Sequence, residues 1–142
     1  MKICSHKGYD LVVLSRDEHC PPHVHVGADK WKARFRFSYW HNDVQLWDVS
    51  PAKNQPTAAV LEDLRQVLLQ AANLRKAREQ WWRSTGSVCL DNQMWDVGKE
   101  TVVNVRSSFF GTRTIQMASF NEKFYITVLQ LSGPPNHLEI AL

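Results

Sequence analysis

Cysteine is scarce in this chain, with three residues in 142, and the pattern they make excludes more than it offers. Cys4, Cys20 and Cys89 are odd in number, far apart and free of any Cys-x-x-Cys pair. The spacing therefore sets up neither a disulfide framework nor a zinc finger, and a reducing, cytoplasmic setting is expected. No stretch approaches the roughly 18 apolar residues of a spanning helix, so no membrane association is expected. The opening segment Met1–Gly8 lacks the apolar block of a signal peptide. Also missing are a Walker loop, a Gly-x-Gly-x-x-Gly turn, a Gly-x-Ser-x-Gly elbow and a His-Glu-x-x-His pair. Nucleotide hydrolysis, dinucleotide redox chemistry and common serine hydrolysis have no support in the sequence. The net charge of +3 permits nucleic-acid binding without requiring it.

What is present begins with aromatic and β-branched residues in period-two patterns. Tyr9–Leu14 reads as a strand, and Ser15–Pro22, ending in two prolines, as a loop. A second strand begins at His23, kinks at Gly27–Asp29 and continues to Tyr39. Within it Trp31, Ala33, Phe35, Phe37 and Tyr39 point one way, and Lys32, Arg34, Arg36 and Ser38 the other. Such alternation buries one face and wets the other. His41–Asp43 is a turn, and Val44–Val49 a third strand, which completes an antiparallel meander. Pro56 suits the first turn of a helix. Val60, Leu61, Leu64, Val67, Leu68, Ala71, Leu74 and Arg75 then recur at helical spacing, which predicts one long helix to about Arg83, stopped at Thr85-Gly86.

Beyond Gly86 the strand signals are Val102–Arg106, Thr112–Phe120, Phe124–Leu131 and His137–Ala141. The expected architecture is α+β. Residues 1–86 form a three-stranded meander packed by one long helix, and residues 87–142 a β-rich half packed on the first or forming a subdomain of its own.

The segment Glu18-His19-Cys20-Pro21-Pro22-His23-Val24-His25-Val26 resembles the motif of a bacterial family, the domain of unknown function 4160. There an acidic residue and a histidine precede a Pro-Pro pair, and His-x-His follows. The likeness covers about residues 9–82 and includes the aromatic-basic strand and a helix ending in Gln80-Trp81-Trp82. Cys20 stands where asparagine is more usual, and residues 83–142 have no counterpart in it. The resemblance implies a small bacterial or mobile-element accessory protein of toxin–antitoxin type.

From the residues themselves, a strand aims His23 and His25 at one face, their rings about 6–7 Å apart, with Glu18 and His19 arriving from the loop. Three roles are open to these imidazoles. They suit acid–base catalysis on RNA, with His19, His23 and His25 as catalytic residues. They suit a transition metal, with His23, His25 and Cys20 as ligands. Or they are structural, fixing the turn within a non-enzymatic, antitoxin-like binding module.

Lys32, Arg34 and Arg36 form a basic stripe that reads as a phosphate track, or as a solvated face paired with Asp43 or Asp48. Arg78 and Trp82, closing the helix, are further candidates for contact with nucleic acid or a partner. The leading expectation is action on RNA or a nucleic-acid-bound partner, with a protein partner expected and the oligomeric state undetermined.

Overall fold

A computed structural model of the chain describes residues 1–90, 93–104 and 111–142, which divide into two units, 1–86 and 87–142. In the first unit the chain starts in a strand, β1 (Lys2–His6), and doubles back through Lys7-Gly8 into β2 (Tyr9–Val12). Both turn residues lie in the left-handed region, at φ 48° and 83°, the conformation that a two-residue hairpin demands and that glycine adopts without strain. Lys2–His6 has no strand signature in the sequence, because a five-residue strand with one strongly apolar residue, Ile3, carries little alternation.

Three further strands follow: β3 (His23–Gly27), β4 (Lys32–Phe37) and β5 (Val44–Ser50). All pair antiparallel with their neighbours in the order β1-β2-β3-β4-β5, so the expected meander has five strands rather than three. The alternation in β4 is realised in full: Trp31, Ala33, Phe35, Phe37 and Tyr39 are all buried.

The expected long helix is two. Thr57 caps α1 (Ala58–Leu69) by accepting from the Val60 amide, and α2 (Ala71–Thr85) ends at left-handed Gly86. Between them Gln70 is extended, with ψ 132°, and the Val67 carbonyl accepts from both the Gln70 backbone N–H and the Asn73 side-chain amide. The break rotates the buried stripe. It runs through Leu61, Leu64, Val67 and Leu68, then through Leu74, Ala77, Arg78 and Trp81, leaving Ala71 and Arg75 exposed.

The second unit forms its own antiparallel sheet from β6 (Gln93–Asp96), β7 (Thr101–Asn104), β8 (Thr112–Asn121), β9 (Ile126–Leu131) and β10 (His137–Ala141). The strand order is β10-β9-β8-β6-β7. The Asn121 side chain accepts from the amides of Lys123 and Phe124, which closes the expected turn between β8 and β9. Of the predicted strand Val102–Arg106, residues 105 and 106 lie outside the described residues. No helix among the described residues is long and apolar enough to cross a membrane.

Candidate functional site: a histidine–carboxylate cluster

The loop from Leu14 to Pro22 and the start of β3 place three side chains together. His23 and His25, two apart on one strand, share a face as the pleat requires. Their ring centroids are 4.7 Å apart and their Nε2 atoms 3.1 Å apart. From the loop, Glu18 brings Oε1 to 2.9 Å from His25 Nε2, and Oε2 to 3.6 Å from His23 Nε2. Burial is severe: the side chains of Glu18 and His23 are 2% and 4% exposed, while His25 is 32% exposed.

Proton bookkeeping shows why this arrangement is unusual. His23 Nδ1 is 2.8 Å from the Pro21 carbonyl, which can only accept, so Nδ1 carries the ring proton. Burial pushes the His23 pKa down, so the ring is neutral and its Nε2 presents a lone pair. One proton on His25 Nε2 must then serve both His23 Nε2 and Glu18 Oε1. Glu18 Oε2 is buried with no hydrogen-bond partner. Electron pairs outnumber protons in a space nearly closed to water, an arrangement that leaves a carboxylate oxygen costly to bury.

Around this cluster the sheet builds a wall. His25 lies directly across from Arg34, and Arg34 across from Asp48. The Arg34 guanidinium forks onto the Asp48 carboxylate, with Nε to Oδ1 at 2.8 Å and Nη2 on Oδ2, and stacks 4.0 Å above the Trp47 ring. Trp47 in turn meets His23 edge-on at 5.3 Å, and Trp81 from α2 approaches His23 at the same centroid distance.

Several residues singled out in the sequence sit elsewhere. His19 is exposed on the loop and does not join the cluster; Glu18, one residue earlier, takes the place given to it. Cys20 is disulfide-bonded, so it offers no thiolate to a metal, and the expectation of unpaired cysteines is overturned. Spacing along a chain does not fix which cysteines meet in space. Cys4 is a free cysteine and sits opposite Leu11 across the β1–β2 hairpin.

Arg78 is fully buried and donates to the carbonyls of Ser38 and His41 and to Asn42 Oδ1. It clasps the β4–β5 connection and presents no surface to nucleic acid or a partner. Trp82 is half-buried. Of the basic stripe, Lys32 and Arg36 are exposed, Arg36 reaching Gln45 at 3.2 Å, whereas Arg34 is bound to Asp48. Asp48 was named in the sequence as a partner of the basic stripe, and its pair with Arg34 bears that reading out. Trp47 and Trp81 were absent from the candidate site, because they meet His23 only through tertiary packing.

The Asp48 pair carries a pH signature. The hydrogen bond from Arg34 holds the carboxyl below its ordinary value of 3.8. A depressed carboxyl contributes stability that is complete above the unfolded pKa and lost as pH falls through the folded one. Both side chains are partly exposed, so the effect is within about 1 kcal/mol. In urea melts, the gap in stability between the native chain and Asp48→Asn is expected to be widest near neutrality and to close below about pH 4. A gap unchanged into acid would show that the ion pair adds nothing.

No family model, curated protein or solved structure matches the chain.

Proposed function

We propose that the protein binds one divalent transition-metal ion through Glu18, His23 Nε2 and His25 Nε2, and uses it to activate water or a substrate oxygen. The observation that carries this reading is the buried Glu18 carboxylate, one oxygen unpartnered, facing two ring nitrogens that share a single proton. A cation satisfies all of these lone pairs at once.

The distances fit. Donor atoms about 2.0–2.2 Å from a shared ion stand roughly 3.0–3.6 Å from one another; the two ring nitrogens are 3.1 Å apart, the Glu18 oxygens lie 2.9 Å (Oε1) and 3.6 Å (Oε2) from them, and one ligand atom from each residue lies within 4.8 Å of the others. The Pro21 carbonyl, accepting from His23 Nδ1–H, plays the part of the outer-shell acceptor that fixes a ligating imidazole's tautomer. His25 would bind with its proton moved to Nδ1. Two imidazoles and a carboxylate suit zinc, iron or a neighbouring first-row ion, and three protein ligands leave a position for water or substrate. An ion there lowers the pKa of bound water towards neutrality and polarises an oxygen placed on it.

The motif's resemblance to the domain of unknown function 4160 family supports a bacterial accessory role, with RNA as a candidate substrate. Lys32 and Arg36 are the exposed cations of β4 on offer to its phosphates.

The test is elemental analysis of the purified chain, followed by titration of the metal-free protein with zinc and cobalt(II). The expected result is about one equivalent per chain, and binding that releases protons as pH is lowered towards 6. Absence of any first-row metal after purification, together with cobalt affinity no tighter than about millimolar, would leave the histidines as a structural turn.

A further inference from the structure

Trp81 is fully buried on the inner face of α2, its ring 5.3 Å from His23 and 6.3 Å from Phe37. Its indole Nε1–H has no acceptor. Indole is a donor only, and a buried Trp ordinarily finds a partner for that proton. Two residues with unsatisfied groups of opposite sense therefore lie beside the same imidazole: Glu18, whose acceptor Oε2 is 3.6 Å from His23 Nε2, and Trp81, whose ring centre is 5.3 Å from that of His23 and whose Nε1–H is an unused donor.

A metal ion answers only the first. What answers the second is an acceptor that arrives with the metal and is small enough for an enclosed site. An oxygen anion on the ion's remaining position meets that description. The charges agree: an M²⁺ ion less the Glu18 carboxylate leaves one positive charge, while Arg34 and Asp48 neutralise one another. The surplus favours a single negative charge on the incoming ligand, which Trp81 would orient by a donated hydrogen bond.

We infer that the metal centre takes a small oxygen anion, of the carboxylate or phosphoryl class, as its exogenous ligand, and that the Trp81 indole N–H recognises it. This rests on the metal reading above, and the experiment separates the two.

Full-length protein carrying ¹⁵N-labelled tryptophan is loaded with zinc and titrated with sodium formate and, separately, with inorganic phosphate. The six indole N–H resonances are followed, that of Trp81 being assigned by its loss in Trp81→Phe. Saturable movement of the Trp81 resonance to low field is expected with at least one of the two anions, and which of them acts names the class. In the cobalt(II) protein the same anion should change the visible spectrum, with its affinity falling about tenfold or more in Trp81→Phe. If that variant does not fold, single Trp→Phe changes at Trp31, Trp40, Trp47, Trp82 and Trp95 assign the sixth resonance to Trp81 by elimination, and its shift on the native chain decides the matter.

Zinc uptake with no spectral response to either anion overturns the inference and leaves the metal reading standing. Anion binding that leaves the Trp81 resonance in place overturns the role given to Trp81. Failure to take up zinc at all refutes the metal reading, and this inference with it.

Discussion

Glu18→Gln should abolish the proposed metal binding while leaving the fold intact or slightly firmer. Glutamine keeps the shape of the side chain, so the packing of a residue that is 2% exposed is preserved. It removes a negative charge from a nearly dry site and introduces an N–H₂ donor. The His23 Nε2 lone pair, 3.6 Å from Glu18 Oε2, then gains a proton to accept. Affinity for zinc or cobalt is expected to fall at least about 100-fold, since a carboxylate ligand is lost outright and the loss of outer-shell partners alone costs 10–100-fold. The thermal midpoint of the metal-free protein should hold steady or rise.

A purely structural Glu18 predicts the reverse pattern. Its conversion would weaken the metal-free fold and leave any weak metal affinity where it was. Isothermal titration beside thermal melts of the metal-free forms separates the two outcomes.

The second large effect lies away from the cluster. Arg78→Met keeps most of the side-chain volume but removes the donors that hold the Ser38 carbonyl at 2.9 Å, the His41 carbonyl at 2.7 Å and Asn42 Oδ1 at 2.9 Å. Buried acceptors left without donors cost about 1–3 kcal/mol each, partly relieved where water reaches the turn. A loss of about 3 kcal/mol or more is expected, enough to lower the melting midpoint by roughly 10 °C. Lys32→Ala and Arg36→Ala, which alter exposed cations, should stay within about 0.5 kcal/mol of the native chain. A midpoint for Arg78→Met within a few degrees of native would mean that the turn holds itself without the guanidinium.

These contrasts show what the sequence made legible. Alternation from Trp31 to Tyr39 is a local pattern with one physical solution, and it fixed β4 and its buried face. Gly86 as a stop is likewise local, since a left-handed residue after a helix favours glycine. The interruption at Gln70 left no mark, because neither proline nor glycine is there and helical spacing reads through it. Reading through it kept Arg75 on the buried stripe and Arg78 among the surface candidates.

The cluster was half visible. His-x-His on a strand dictates a shared face, so His23 and His25 were found. Choosing between Glu18 and His19 depended on how an eight-residue polar loop folds, with Asp17 in the left-handed region at φ 61°. Trp81 was recognised as an aromatic near a helix end, but its approach to His23 belongs to packing between a helix and a sheet and has no signature in spacing.

The unequal exposure of the three side chains proposed as ligands would have a kinetic consequence. His25 is 32% exposed while Glu18 and His23 are nearly closed off, so a cation bound as proposed would first be held by one imidazole, still largely hydrated, before passing inward to the nitrogen of His23 and the carboxylate of Glu18. Departure would retrace that path. Residence time would then be governed by the outermost ring, and a chelator could pull only on an ion that had already let go of its two inner anchors.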